Sequence, residues 1–439
     1  MASNNFQFSI FSFQLIYTLA IHLYALSVEI MSFFNRKARM TRMGQWYTNG
    51  ILRKKIDRNA KYIWFHAASL GEFEQGRPMM ETIRKRYPEY KILLTFFSPS
   101  GYEVRKNYEG AEVICYLPFD TPFKVRKFIN LANPSIAVFI KYEFWLNYLT
   151  ELKKRNIKIY LISAIFRPGQ LFFKWYGKWY LKALKCYERL FVQDEASKKL
   201  LAGFGIENVE VCGDTRFDRV LEIRNNARLL PEVEIFAQGN RKVLIAGSSW
   251  PEDEEIIISY FNTHPGIKLI IAPHEIHRAH LLYIQSLLLR PSIRLSEADG
   301  EMLLTRDCLI IDSFGMLSSI YRYGDIAYIG GGFGKGIHNT LEAGVYGIPV
   351  IFGPKYQKFK EAHGFIACGG GFAVDNSPAF FHCMDNLLSD TAFLHKAGTA
   401  AGNFVHQNAG ATEKILKSWS NNGIPAIAKV TTASLPLQK

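Results

Sequence analysis

Between residues 62 and 352 of this 439-residue chain, short apolar runs recur, and amphipathic stretches separate them. The first series is Tyr62–Ala67, Lys91–Phe96, Val113–Tyr116, Ile136–Ile140, Ile157–Ser163 and Leu190–Gln193. Helical patterns such as Phe73–Arg86 and Phe144–Arg155 lie between them. A second series holds Lys242–Ala246, Lys268–Ala272, Cys308–Ile311, Asp325–Ile329 and Pro349–Phe352. Short, continuously apolar strands separated by helices point to a parallel sheet covered on both faces. The expected class is α/β, with two doubly wound domains in tandem. The polar stretch Glu222–Arg228 marks the junction, near residue 220. The divisions are 1–35, 36–220, 221–410 and 411–439. The last is read as a helix end and a loose tail, because "GIPAIAKVTTASLPLQK" has small residues, prolines and no period.

The segment before the first strand is different. Phe6 to Phe34 is mostly apolar, no Lys or Arg precedes it, and "NRKARMTR" follows. A secretory signal would have its positive charge first and a small-residue cleavage site after. A membrane span needs ~20 apolar residues, which Phe6–Leu26 supplies. The basic flank would then hold the rest of the chain in the cytoplasm. Gln14, His22 and Glu29 leave an interfacial helix as the competing reading. Either reading puts the remaining chain at a membrane surface. Net charge is +14, with much of the surplus between Arg36 and Lys61. Such a surplus calls for acidic partners: nucleic acid, anionic lipid or phosphorylated substrates. The six cysteines are scattered without a C-x-x-C pair, so they read as small buried hydrophobes in a reducing compartment.

In doubly wound sheets, ligands bind beyond the carboxyl ends of the strands, and two such sheets are expected to face each other across a cleft. The residues just after each strand therefore matter most. After Tyr62–Ala67 come Ser69, Gly71 and Glu72, at a helix start. The helix dipole favours a carboxylate there for ordinary reasons, by ~0.3–1 kcal/mol. At a cleft rim the same carboxylate could also act as a general base. "AVFIKYEFWLN" places Glu143 among aromatics after another strand. "GDTRFD" flanks Arg216 with two aspartates, giving either a surface ion pair of little worth or a cation facing an anionic leaving group.

The second half carries the densest pattern, "DIAYIGGGFGKGIHNTLEAGVYGIPVIFGP". Glycines let a backbone approach an anion, and a helix with Asn339, Leu341 and Glu342 follows. Neither the dinucleotide fingerprint nor the P-loop is present. Pro273 and His274 follow another strand, as does Gly315-Met316-Leu317. "SSWPEDEE" reads as a helix start. There is no D-x-D triplet and no H-E-x-x-H spacing, so no metal and no cofactor are expected.

Taken in order, these fragments resemble the 3-deoxy-D-manno-octulosonic acid (Kdo) transferases of lipopolysaccharide assembly. "HAASLGEFEQG", "KYEFWLN", "GDTRFD" and the long glycine-rich stretch carry the resemblance, which runs from about residue 36 to 405. It implies a GT-B arrangement of two Rossmann-like domains behind an N-terminal membrane anchor. It implies an inverting glycosyltransferase with CMP-Kdo as donor and a phosphorylated lipid A precursor as acceptor. The enzyme would work on the cytoplasmic side of the bacterial inner membrane, without nucleic acid as a partner. Glu72 would be the general base, and Glu143 and Arg216 would stabilise the transition state. CMP contacts would fall on Pro273, His274, Gly315, Met316, Leu317, Asn339, Thr340, Leu341 and Glu342. His274 and Met316 depart from the family's common Arg and Glu, which bears on CMP affinity. The rival enzyme is another GT-B transferase with a UDP-sugar donor, and the rival of another class is a non-catalytic membrane-surface binder.

Overall fold

The computed structural model describes residues 2–421, and the side chains of residues 14–175, 177 and 180–420. Residues 422–439 of the expected tail, and the side chains of residues 6–13 in the apolar run, lie outside the described residues. The chain divides into two compact units, residues 1–219 with 410–439, and residues 220–409.

Unit 1 is built on β1 (Lys61–Ala67), β2 (Tyr90–Phe96), β3 (Val113–Tyr116), β4 (Pro134–Ile140), β5 (Lys158–Ala164), β6 (Arg189–Val192) and β7 (Val209–Val211). All pairings are parallel, in the order β3-β2-β1-β4-β5-β6-β7. Alternate residues of β1 serve opposite cores. Tyr62 and Trp64 enter one, with Leu93, Phe139 and Leu161. Ile63 and Phe65 enter the other, with Leu94, Val138 and Ile162. Burial on both faces is why these strands read as unbroken apolar runs.

The last described helix, Ala411–Asn421, belongs to unit 1. Its Ile415, Leu416 and Trp419 complete the second core. Burying Trp419 alone is worth about 2–3 kcal/mol. Asp218 fixes this helix by accepting from the amides of Gly410 and Thr412. The sequence division sets residues from 411 apart; the structure returns Ala411–Asn421 to the first unit.

Unit 2 holds β8 (Lys242–Ser249), β9 (Ile267–Pro273), β10 (Ser292–Arg294), β11 (Cys308–Ile310), β12 (Ile326–Ile329), β13 (Val350–Phe352) and β14 (Gly371–Ala373). Their order is β10-β11-β9-β8-β12-β13-β14, again all parallel. In each sheet the first strand is an interior one, third of seven in unit 1 and fourth of seven in unit 2, and the winding reverses beside it. The switch points are β1/β4 in unit 1 and β8/β12 in unit 2.

The N-terminal helix, Ala2–Met31, contains one window long and apolar enough to cross a membrane, Gln14–Met31. One stripe of it lies on unit 1. Tyr17 donates to Asp120 at 2.6 Å, Gln14 donates to Asn147, and Asn147 donates to Thr18. Tyr24 meets Phe97 and Phe119 edge-on or stacked. The opposite stripe, Leu15, Ile16, Leu19, Leu23, Leu26 and Ile30, is exposed. An ordinary surface helix is patterned the other way, apolar face inward. A second helix, Arg36–Lys55, follows; it has seven basic residues, no acidic ones, and an Asn35 cap.

Candidate functional site

At the β1/β4 switch point, β1 ends in Ala67 and Ser69 starts the helix Leu70–Arg86. That geometry puts Glu72 in the first turn, on the rim of the sheet. Ser69 donates its hydroxyl to one carboxylate oxygen of Glu72. The other lies 3.5 Å from Nζ of Lys141, the first residue after β4. Lys141 has φ +72°, and this left-handed turn ends the strand and sends its neighbour Tyr142 outward. The Glu72 side chain keeps 17% exposure, so the carboxylate is anchored and still reachable.

Glu143 is placed otherwise. It is buried beneath the same loop, and one of its oxygens accepts from both His66 Nε2 (3.0 Å) and Trp145 Nε1. His66 Nδ1 lies 2.9 Å from Thr95 Oγ1, which also receives the Trp64 indole N–H at 2.8 Å. Trp64 donates to Thr95 and His66 Nε2 donates to Glu143, while His66 Nδ1 faces both the hydroxyl and, at 3.2 Å, the carbonyl of Thr95, so its tautomer decides which of the two it serves. A satisfied buried chain of this kind is rigid. Tyr187 adds a bond to the Glu143 carbonyl, and Tyr180 one to the Phe144 carbonyl. Glu143 therefore holds the loop that carries Lys141 and Tyr142.

"GDTRFD" resolves into three tasks. Asp214, 6% exposed, binds the Arg216 guanidinium at 2.8–2.9 Å and its backbone amide at 2.9 Å. Thr215 donates to the carbonyl of Gln75 and meets Ser163, whose φ is +53°. Gln75 in turn donates to Asp214. Arg216 is thus tied to the same helix that carries Glu72. The Tyr142 phenol registers this neighbourhood. Burial raises its pKa most, with the charges of Arg167, Glu72, Arg216 and Asp194 acting on it as well.

In unit 2 the β8/β12 switch point is equally built. Asp253 lies in the first turn of the helix Pro251–Thr263 and is fully buried. It accepts from the amides of Trp250 and Gly331 and from the Tyr328 hydroxyl. That stitches the end of β8 to the glycine turn after β12. Gly330 is needed there, since a Cβ would sit 2.2 Å from the Ser248 carbonyl oxygen. Glu254, also buried, accepts from Ser249 and pairs with His280, both at 2.8 Å. Burial raises the pKa of both carboxyls. The acidic run is a helix start, as its composition indicates, and it is also the brace of the site.

Pro273 closes β9, and His274 projects from it. The His274 ring stacks on both Trp250 (4.7 Å) and His338 (4.5 Å). Trp250 Nε1 donates to His338 Nε2 at 3.1 Å, and Lys335 lies over the Trp250 ring. Burial, then the charge of His274, lowers the His338 pKa to about 4. Asn339 is exposed; it caps Leu341 and donates to Glu342 at 2.9 Å. The charge of Glu342 also reaches Tyr321, and Leu317 and Tyr321 pack beside Gly247 at the end of β8. Gly315 is exposed with φ +83°, and Ser313 donates to the Met316 sulfur. Thr340 and Leu341 are fully buried, backbone and side chain alike. The structure thus gathers the candidates of unit 2 along one sheet edge, with His274 and His338 in one cluster and Leu317, Tyr321 and Glu342 near another.

Lys141, His66, Asp214, Asp253 and His338 escaped the sequence reading as site residues. Lys141 had a signal in its place immediately after a strand, and Asp214, His66 and His338 had one in the quoted motifs that contain them. Among the described residues no group of three or more His, Cys, Asp or Glu is placed to hold a metal ion.

Residues 38–219 match the model of the 3-deoxy-D-manno-octulosonic-acid transferase (kdotransferase) family. The chain is 29% identical to the 3-deoxy-D-manno-octulosonic acid transferase of Aquifex aeolicus, over 74% of this chain and 86% of that protein. It is 27% identical to that of Haemophilus influenzae, over 81% and 85%. Among solved structures it resembles a UDP-GlcNAc 2-epimerase from Neisseria meningitidis (TM-score 0.60, 15% identity, 82% of this chain and 100% of that one). A glycosyltransferase from Rickettsia africae gives a TM-score of 0.52 at 15% identity, over 83% and 98%. These last two likenesses are of fold, the GT-B type with two Rossmann-like sheets. Together with the ordered motifs at the strand ends, these matches make the chain similar to the 3-deoxy-D-manno-octulosonic acid transferases, through the family model over residues 38–219 and through relatives over 74–81% of its length.

Proposed function

We propose that this enzyme moves Kdo from CMP-Kdo to a phosphorylated lipid A precursor, inverting the anomeric centre, at the cytoplasmic face of the bacterial inner membrane. The observation that carries the mechanism is Glu72, fixed by Ser69 and Lys141 on the rim of unit 1 yet still reachable. An acceptor hydroxyl gives its proton to Glu72 as its oxygen bonds to the anomeric carbon. The bond from that carbon to the phosphate oxygen breaks, and CMP leaves with the electron pair. One displacement inverts the centre and needs no covalent intermediate. Arg216, held by Asp214, meets negative charge in the transition state. Glu143 acts as a positioning residue through the loop of Lys141 and Tyr142. CMP takes the strand ends of unit 2, with His274, Gly315–Leu317 and Asn339–Glu342 around it. Metal independence rests on the sequence, which has no D-x-D triplet.

Association with the membrane rests on the N-terminal helix. It presents its apolar stripe outward while Tyr17 and Gln14 bind unit 1. That pattern favours a helix lying in the leaflet over one crossing it.

The test is transfer from CMP-Kdo to a phosphorylated lipid A precursor, in EDTA, against a panel of UDP-sugars. Turnover with CMP-Kdo alone is expected. Glu72→Ala should fold, bind CMP and lose transfer by at least about a hundredfold, as loss of a general base does. Turnover of UDP-sugars, or an active Glu72→Ala, overturns the reading.

A further inference from the structure

Away from the strand ends, unit 1 has a pocket of about 510 Å³ beside the N-terminal helix. Arg42, Lys124 and Lys127 line it, with Glu29 as the one carboxylate. Arg42 binds Glu29 through Nε and lies over the Phe33 ring, which fixes the guanidinium at the pocket wall. Lys124 sits over Phe119 and Lys127 over Phe123. Neither lysine has a carboxylate within ion-pair distance among the described residues. Burial lowers the Lys124 pKa, so its ammonium is short of solvation. Gln45 lines the same pocket. It is more than nine-tenths buried, its Oε1 accepts from the Phe119 amide, and its Nε2 has no acceptor. A buried amide donor without a partner is destabilising and gains from meeting an acceptor. Three cations and a spare N–H donor describe a site for an anion with several acceptor oxygens.

The surroundings say what carries that anion. Trp46 lines the pocket, Phe33 lies against Arg42 and Phe123 against Lys127, and all three rings are exposed. Trp46 belongs to the helix Arg36–Lys55, whose charged residues are all basic, and Phe33 follows the helix that bears the outward apolar stripe. Exposed Trp and Tyr beside basic residues mark the headgroup level of a bilayer.

We infer that this pocket takes the phosphate of a membrane lipid, with the acyl chains lying along the exposed stripe of the N-terminal helix. The inference rests on the membrane-surface part of the function proposed above. It seats the lipid by chemistry distinct from Glu72 and the strand ends.

The test uses the full chain and vesicles of phosphatidylcholine, alone or doped with phosphatidylglycerol or with the phosphorylated lipid A precursor. Lys124→Ala/Lys127→Ala should cut partition to the doped vesicles by about tenfold or more, since each interfacial cation is worth about 1 kcal/mol. Partition to neutral vesicles should stay. Arg36→Ala/Lys37→Ala removes equal charge outside the pocket and should cost clearly less; equal losses would mean a diffuse basic surface and overturn the pocket. Gln45→Leu changes no charge and should still weaken doped-vesicle binding several-fold; unchanged binding overturns the donor's role. If Gln45→Leu melts early, Gln45→Met keeps the length and a weak sulfur acceptor for the Phe119 amide, removes the donor without changing charge, and should show the same loss. Preference between the two dopants tells bulk phospholipid from acceptor. Release by millimolar-range inorganic phosphate as readily as by lipid would make this a free-phosphate site and overturn the inference. Because binding is read without turnover, a wrong sugar donor leaves this test intact.

Discussion

The His274–His338–Trp250 stack makes a pH-dependent prediction that can be worked through. His338 Nε2 accepts the Trp250 indole N–H, so that nitrogen has no proton to give. Protonating it breaks the bond and places a cation in a half-buried stack. The pKa accordingly falls from 6.5 to about 4, by burial first and by the charge of His274 second. The unfolded chain takes up its proton at higher pH than the folded one, so acid favours unfolding. The stabilisation is fully present above pH 6.5 and is lost as pH falls through about 4. A difference of that size is worth at most about 3 kcal/mol. Solvent reaching the half-buried ring reduces it to about 1–2 kcal/mol.

His338→Gln keeps an acceptor for Trp250 and removes the titration. The assay is urea unfolding of wild type and variant from pH 7.5 to 4, with the difference in stability plotted against pH. Asp253 and Glu254, whose raised pKa values give the opposite slope, are common to both proteins and cancel. Wild type should lose about 1–2 kcal/mol relative to the variant across that range. A flat difference would show that the ring is not kept neutral by its surroundings.

Two further substitutions probe the braces at the switch points. Glu143→Gln removes the charge that His66 and Trp145 share; it should cost about 2–4 kcal/mol in urea unfolding and lower transfer, while leaving CMP affinity unchanged in a titration. Gly330→Ala drives a Cβ against the backbone of Ser248 and Ser249; a loss of about 3 kcal/mol or more is expected, with weaker CMP binding, and wild-type affinity would refute the close approach of β8 and the glycine turn.

Most of the fold was legible because buried parallel strands leave unbroken apolar runs. The strands missing from that reading are β7, β10 and β14. Each has three residues and lies at the edge of its sheet. An edge strand is paired on one side only and packs less of its surface, so "VEV", "SIR" and "GFA" had no run long enough to register. The C-terminal helix was visible as a helix, but its return to unit 1 was not. That return depends on Asp218 meeting Gly410 and Thr412, a pairing across nearly two hundred residues that no local pattern encodes.

The same limit explains which site residues the sequence yielded. Glu72 was legible because its place follows from one strand, one turn and one helix start. Glu143 was legible as a residue after a strand, but the buried network around it was not. Its partner His66 sits inside β1, where the alternation of apolar residues conceals a polar chain running from Trp64 through Thr95. In unit 2, Asp253 looks like any carboxylate in a first helical turn until Gly331 and Tyr328 arrive from β12. In both units, then, a buried carboxylate ties together the two strands where the winding reverses, and the residues offered to a ligand stand on the loops it holds. Sequence locality finds the offered residues, since a strand end precedes each of them. It misses the carboxylates' partners, since those are neighbours only after the sheet has formed. The Glu143 and Gly330 substitutions therefore test the part of the site that the sequence concealed.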